Sequence, residues 1–236
     1  MSGHSKWSQI KHKKAAADAK KSAVFGKLAR AISVAARENP DPGTNLRLQA
    51  EIQRARAVNM PTDSIERAIK RVTDKDAAAL HEIQLEFIGP GNAAVVVHAI
   101  TDNSNRTISE LRLIAANQGG RIADPGSVLW MFRKVGMVQA TIDPASADAL
   151  QLATIDAGAD DVDITDGTLT AICPPEQLDR VRTALGSAVV SSEMTTIAPN
   201  PVTIPDEAIR GQLESFIEAL DGQDDVQDVF TNATLS

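Results

Sequence analysis

The sequence predicts an α+β protein: a helical N-terminal domain followed by two ferredoxin-like α+β domains, the second inserted in the first. Three observations carry this expectation. Apolar residues recur at helical spacing up to about residue 77 and in strand-like runs beyond it. Residues 136–198 read strand, helix, strand, strand, helix, strand, the order of a ferredoxin-like unit. The last helix and strand, within 204–233, lack partners of their own unless they join the elements at 82–132. The expected domains are therefore 1–77, basic and helical; 78–134 with 199–236, a discontinuous α+β domain; and 135–198, the insert.

In KKAAADAKKSAVFGKLARAISVAARENP, Phe25, Leu28, Ile32 and Ala35 share a helical face, and the prolines and glycine of ENPDPG end the helix. NLRLQAEIQRARAVN gives a second helix with Leu48, Ile52 and Ala55 inward, punctuated by Asn59 and Pro61. A third is expected to begin at Asp63, capping while Glu66 reaches back, a D-x-x-E capping box. Its apolar face is Ile65, Ala68, Ile69 and Val72, so Arg67, Lys70 and Arg71 point away from the core.

EIQLEF and AVVVHAIT read as strands joined by GPGN, NRTISELRLIAANQGG as a helix ended by paired glycines, and GSVLWMF as another strand. Within the insert, MVQATI, DVDIT, LTAIC and EMTTIA are strands, and Asp166-Gly167 is a hairpin signal. Its helices run from Asp143-Pro144 to Gly158 and through PEQLDRVRTALG, the latter with Leu178, Val181 and Leu185 inward. PDEAIRGQLESFIEAL is amphipathic on Ile209, Leu213, Phe216, Ile217 and Leu220, and DVQDVFTNA is a last strand.

Composition narrows the function classes. With 43% hydrophobic, 23% charged and only 3% aromatic residues, the 236-residue chain reads as an ordinary globular protein whose cores rest on aliphatic side chains. The single cysteine, Cys173, excludes an internal disulfide framework and fits a reducing, cytoplasmic compartment. The run AAVVVHAI is too short to span a bilayer, and the lysines of the N-terminus precede no apolar secretory segment. No membrane partner is expected.

The net charge of -7 conceals an asymmetry. Residues 1–77 hold 16 Lys+Arg against 8 Asp+Glu, and the remainder holds 8 against 23. A basic module on an acidic body points to a polyanionic partner, because neutralised phosphates release counterions whatever the base sequence. The candidate nucleic-acid-binding residues are Lys6, Trp7, Lys11, His12, Lys13, Lys14, Lys20, Lys21, Lys27, Arg30, Arg54, Arg56, Arg67, Lys70 and Arg71. Trp7 offers a stacking face, although anchoring the arm on the helices is its plainer use.

Other constellations fall short. His4 and His12 stand eight apart without nearby cysteines, so no metal is expected. The run DAGADDVDITDG begins like a calcium loop at Asp161 and Asp163, but Thr165 and Ile172 occupy ligand positions. GPGN lacks the lysine and length of a phosphate loop. TDNSNRT, with His98 upstream, is the one cluster resembling an active site, yet its residues serve turns and helix caps equally well. Neither enzymatic activity nor a cofactor or small-molecule substrate is expected.

The segments GHSKWSQIKHKKAAADAKK, NMPTDSIERAIKR, TDNSNRT, GGRIADPGSVLWMF and DVQDVF together resemble the YebC/PmpR family, in order and nearly end to end. The resemblance implies a cytoplasmic, non-enzymatic regulator of gene expression with a helical N-terminal domain and two α+β domains. It implies a DNA-binding transcriptional role, as described for some members, or a ribosome-associated translational role at difficult sequences such as proline runs, as for others; mitochondrial members act as translational activators. The family's basic arm falls on Lys6, Lys11, Lys13, Lys14 and Lys20, and no catalytic residue is carried over. ENPDPGTN departs from the glycine-richer loop of relatives, and no role is carried onto 156–167. A mostly lysine surface with no evident set of Arg, Asn and Gln on a groove-reading helix leans towards backbone or ribosomal RNA recognition.

Overall fold

A computed structural model describes residues 18–73 and 78–234. The chain is mixed α+β, with helices packed on antiparallel sheets. It divides into two compact units, one spanning 130–201 and the other containing the described residues up to 129 together with 202–234.

The larger unit opens with three helices: α1 (Asp18–Ala36), α2 (Leu46–Ala57) and α3 (Thr62–Lys70). Leu28, Ile32 and Ala35 of α1 bury against Leu48, Ile52 and Ala55 of α2 and Ile65 and Ala68 of α3. Asn45 caps α2, its Oδ1 accepting the Leu48 amide at 3.0 Å. The capping box expected at Asp63 does not form. Helix α3 starts one residue earlier, with Pro61 as N-cap and no side-chain cap. The Pro61 φ of -58° sets up the first turn, and its carbonyl accepts from Ser64 and Ile65, leaving Asp63 inside that turn.

Strands β1 (His81–Ile88) and β2 (Ala94–Thr101) form a hairpin across Pro90–Asn92, where Gly91 and Asn92 have φ of 70° and 59°. Helix α4 (Ser104–Asn117) follows, and then the short β3 (Arg121–Ile122). Late in the chain come β8 (Val202–Thr203), α7 (Glu207–Asp221), β9 (Val226–Thr231) and β10 (Ala233–Thr234). The sheet order is β3-β1-β2-β9, and β8 pairs with β10 in parallel. Val95, Val97 and Ala99 of β2 face one core with Leu111 of α4 and Leu213, Phe216, Ile217 and Leu220 of α7. Ile100 faces the other way, packing with Leu80 and with Ala31 and Val34 of α1. Helix α1 thus has two apolar faces, and its alanines permit close approach on both.

The segment GSVLWMF, expected as a strand, is instead a loop and a 3₁₀ turn at Leu129–Met131. The buried Glu86 carboxylate on β1 takes the amide hydrogens of Gly126, Val128 and Leu129, the last two at 2.7 and 2.8 Å. Those amides are thereby withdrawn from any sheet ladder. Burial opposes ionisation of Glu86, but the three amides outweigh it and hold the carboxyl below its ordinary range.

The smaller unit contains β4 (Arg133–Thr141), α5 (Ala147–Asp156), β5 (Asp161–Thr165), β6 (Thr168–Cys173), α6 (Leu178–Leu185) and β7 (Val189–Ile197). Its sheet order is β5-β6-β4-β7, antiparallel throughout. Asp166 and Gly167 between β5 and β6 both have positive φ, 51° and 74°, as a two-residue hairpin turn demands. Val138, Ala140, Leu169, Ala171 and Cys173 bury with Val181 and Leu185 of α6. Val135, Met137, Ile172 and Ile197 form a second apolar cluster on the opposite sheet face.

Candidate nucleic-acid interface

Much of the positive charge of the helices is used inside the larger unit. Lys27 Nζ donates to the Asp221 carbonyl at the end of α7 and stands 3.8 Å from the Asp221 carboxylate. Arg30 donates to the Asp224 carbonyl, and Arg37 to the Leu80 carbonyl. Arg47 pairs with Glu82 of β1. Arg54 pairs with Glu51 at 3.3 Å and lies 3.8 Å from Asp228 of β9. Cations from α1 thus meet the negative end of the α7 dipole, and those of α2 meet carboxylates on the sheet. Burial pushes the Glu51 carboxyl above its ordinary value, with Asp228 acting in the same direction and Arg54 opposing both.

Of the residues expected to meet nucleic acid, Arg54, Arg56, Arg67, Lys70 and Arg71 are exposed, Arg54 while paired with Glu51. Arg56 belongs to the last turn of α2. Arg67, Lys70 and Arg71 fall three and four apart along α3 and its end, one helical stripe. Arg67 is braced by the Asp63 carbonyl at 3.1 Å and Ser64 Oγ at 3.0 Å, and Lys70 lies 3.8 Å from Glu66. Lys20 and Lys21 belong to α1, with side chains outside those described. Lys6, Trp7, Lys11, His12, Lys13 and Lys14 lie outside the described residues.

The TDNSNRT segment builds a polar cluster at the start of α4. Asn103 caps the helix, its Oδ1 accepting the Arg106 amide at 3.1 Å. Thr107 Oγ1 lies 2.6 Å from Asp225 Oδ2 and 2.8 Å from Thr101 Oγ1; its one hydroxyl hydrogen goes to the carboxylate. The Arg106 guanidinium donates to Asp225 at 3.0 Å and to Asp102 at 2.9 Å. Burial alone would raise the Asp225 carboxyl, but hydrogen bonds from Thr107, Arg106, Gln223 and Thr101 outweigh it and hold the group below its ordinary range. The bond to Asp225 is the main reason the Arg106 guanidinium holds its proton more firmly still.

Asp102, Arg106 and Asp225 of this cluster line a cleft of about 600 Å³ together with Arg30 and Arg71. His98 does not join it, sitting edge-on to Phe230 at 5.2 Å. Among the described residues, no group of three or more His, Cys, Asp or Glu side chains could hold a metal ion. No helix among them is long and apolar enough to cross a membrane. The roles of Arg106, Thr107 and Asp225 were missed in the sequence, where the two ends of the cluster stand 118 residues apart.

Residues 5–75 match the family model described as the TACO1/YebC protein N-terminal domain, and residues 80–233 match the TACO1/YebC second and third domain. A protein of Desulfosudis oleivorans named "Probable transcriptional regulatory protein" is 44% identical, over 100% of this chain and 98% of its own. A Thermotoga maritima protein of the same name is 43% identical, over 98% and 93%. The crystal structure of a conserved hypothetical protein from Aquifex aeolicus superposes with a TM-score of 0.84 at 36% identity, covering 96% of each chain. With both models matched in order across nearly its whole length, the chain belongs to the TACO1/YebC family.

Proposed function

We propose that this protein is a non-enzymatic, cytoplasmic, DNA-binding transcriptional regulator that grips the polymer by its phosphates through the basic N-terminal arm and helices. The observation that carries the reading is the excess of 16 basic over 8 acidic side chains in residues 1–77, with Arg56, Arg67, Lys70 and Arg71 exposed on the helices. Backbone contacts of this kind position a protein and supply affinity without reading bases. The relatives' shared name as transcriptional regulatory proteins supports the choice of role. In this reading the chain has three domains, 1–77, 78–134 with 199–236, and 135–198, and the two later ones are ferredoxin-like and supply shape and partner surfaces. Replacing Lys11, Lys13 and Lys14 by Ala tests it: duplex affinity falls, and the slope of log affinity against log salt shrinks by roughly 0.9 for each phosphate no longer neutralised. An unchanged slope removes the arm from the interface.

A specific observation favours a second reading, an RNA-facing factor that relieves ribosomes at proline-rich sequences. The stripe on α3 alternates Arg67, Lys70 and Arg71 with Asp63 and Glu66, and offers no Asn or Gln to read a major groove. Sedimentation through a sucrose gradient separates the two. Co-migration with ribosomes that survives DNase favours translation; promoter footprints without co-migration favour transcription.

A further inference from the structure

The outward face of α2 carries chemistry that phosphate contacts leave unused. Leu48, Ile52 and Ala55 bury one side of this helix, while Gln49, Ala50, Gln53, Arg56 and Ala57 are exposed. Gln49, Gln53 and Arg56 follow one another four and three residues apart, within about 60° around the helix axis, and so form one stripe. Among the described residues, none of these three side chains is engaged in a hydrogen bond or an ion pair. The other two arginines of α2 are held by carboxylates, Arg54 by Glu51 and Arg47 by Glu82. The set is not evident in the sequence, because only burial and pairing show which side chains share the free face. The helix itself is fixed in place. Besides capping it, Asn45 donates its amide hydrogens to the Ala35 and Asn39 carbonyls at 2.8 and 2.7 Å, tying the start of α2 to the end of α1. A helix held in this way positions side chains with the precision that recognition of base edges requires.

Glutamine and arginine are base-reading side chains in the major groove. Gln makes paired hydrogen bonds to adenine N6 and N7, and Arg to guanine O6 and N7. The stripe is about 10 Å long, the rise of about three base pairs, and the groove, about 12 Å wide in B-DNA, admits an α-helix. Ala50 and Ala57 on the same exposed side add little bulk to impede that approach. The surrounding charge is complementary to a polyanion: residues 1–77 hold 16 basic against 8 acidic side chains, and α2 alone has three arginines against one glutamate. Helix α3 offers no equivalent, since its exposed stripe is charged throughout. Double-stranded RNA does not fit the stripe, because its major groove is too deep and narrow for side chains to read.

We propose that α2 reads sequence in double-stranded DNA, lying in the major groove with Gln49 and Gln53 on adenines and Arg56 on a guanine within about three base pairs. Sequence reading by α2 rests on the DNA-binding role proposed above and adds a preferred site, which phosphate contacts by the basic arm do not supply.

The test is selection of bound duplexes from a random-sequence DNA pool by the full chain, followed by affinity measurements on the enriched duplex and on a scrambled one. The wild type enriches a short motif that contains adenine and guanine positions within about three base pairs. Gln49→Ala combined with Gln53→Ala loses the adenine preference and weakens binding of the enriched duplex by about 5- to 150-fold for each contact removed. Affinity for the scrambled duplex and the salt slope stay as in the wild type. Arg56→Ala relaxes the guanine position, and Arg56→Lys recovers part of it. All three positions are exposed, and an unchanged midpoint of urea unfolding shows that the variants are folded. Duplex binding with a steep salt slope and no enriched motif overturns the inference while leaving the DNA-binding role intact. A motif that survives in the glutamine double variant and in Arg56→Ala overturns it as well. No duplex binding at all overturns both. The Lys11, Lys13 and Lys14 to Ala variant weakens binding of both duplexes alike and keeps the motif, so failure of α2 and failure of the arm are separately visible.

Discussion

Asp225→Asn removes one charge and almost no volume from the centre of the polar cluster. The Asp225 side chain is 8% exposed and receives the Thr107 hydroxyl at 2.6 Å. A hydrogen bond to an ionised group contributes about 1.5–3 kcal/mol and a neutral one about 0.5–1.5, so the substitution costs about 1 kcal/mol at pH 7. Arg106 keeps Asp102 and water, and adds little. The pH dependence is the sharper test. Because the folded-state carboxyl is held below its ordinary value of 3.8, the unfolded chain takes up the proton first as pH falls. The stabilisation is therefore fully present above the ordinary carboxyl range and disappears as pH falls through the depressed value. Urea unfolding of both proteins at pH 7 and at successive steps below pH 4 measures it. The gap between wild type and Asp225→Asn narrows on acidification; a gap that is constant or grows refutes the hydrogen-bonded, ionised Asp225 described here.

Glu51→Gln is expected to behave with the opposite sign. Burial raises this carboxyl in the folded state, so wild-type stability falls as pH rises from the ordinary value of 4.5 towards the raised one, and the variant gains relative to wild type over that window in the same unfolding assay. Gly120→Ala puts a Cβ 2.4 Å from the buried Phe216 ring and 3.0 Å from the Ile88 carbonyl, so it destabilises by about 1–3 kcal/mol in urea titration. Leu213→Ala empties a fully buried position between α7 and the sheet and costs about 2–5 kcal/mol by the same measurement.

What could be read in the sequence was local. The turn at Asp166-Gly167, the inward face of α7 and the exposed stripe of Arg67, Lys70 and Arg71 each follow from a few adjacent residues. What could not be read was set by partners far along the chain. GSVLWMF has strand composition, but a carboxylate forty residues upstream claims its amides. Asp63 and Glu66 match a capping pattern, yet Pro61 starts the helix before they can act. The charge asymmetry was plain, while its partial internal use, with Lys27 and Arg30 on the end of α7 across 194 residues, was not. The cleft likewise joins α1, the end of α3, α4 and the segment after α7, and no window of sequence contains it.

Photo-cross-linking of the intact protein to nucleic acid, followed by peptide mapping, locates the phosphate-binding surface on the chain. Cross-links are expected to concentrate in residues 1–77, on the basic arm and on the peptides carrying Arg56 and the stripe Arg67, Lys70 and Arg71, and to weaken as salt is raised. Cross-links concentrated in 130–201, with the basic third unmarked, would contradict this expectation.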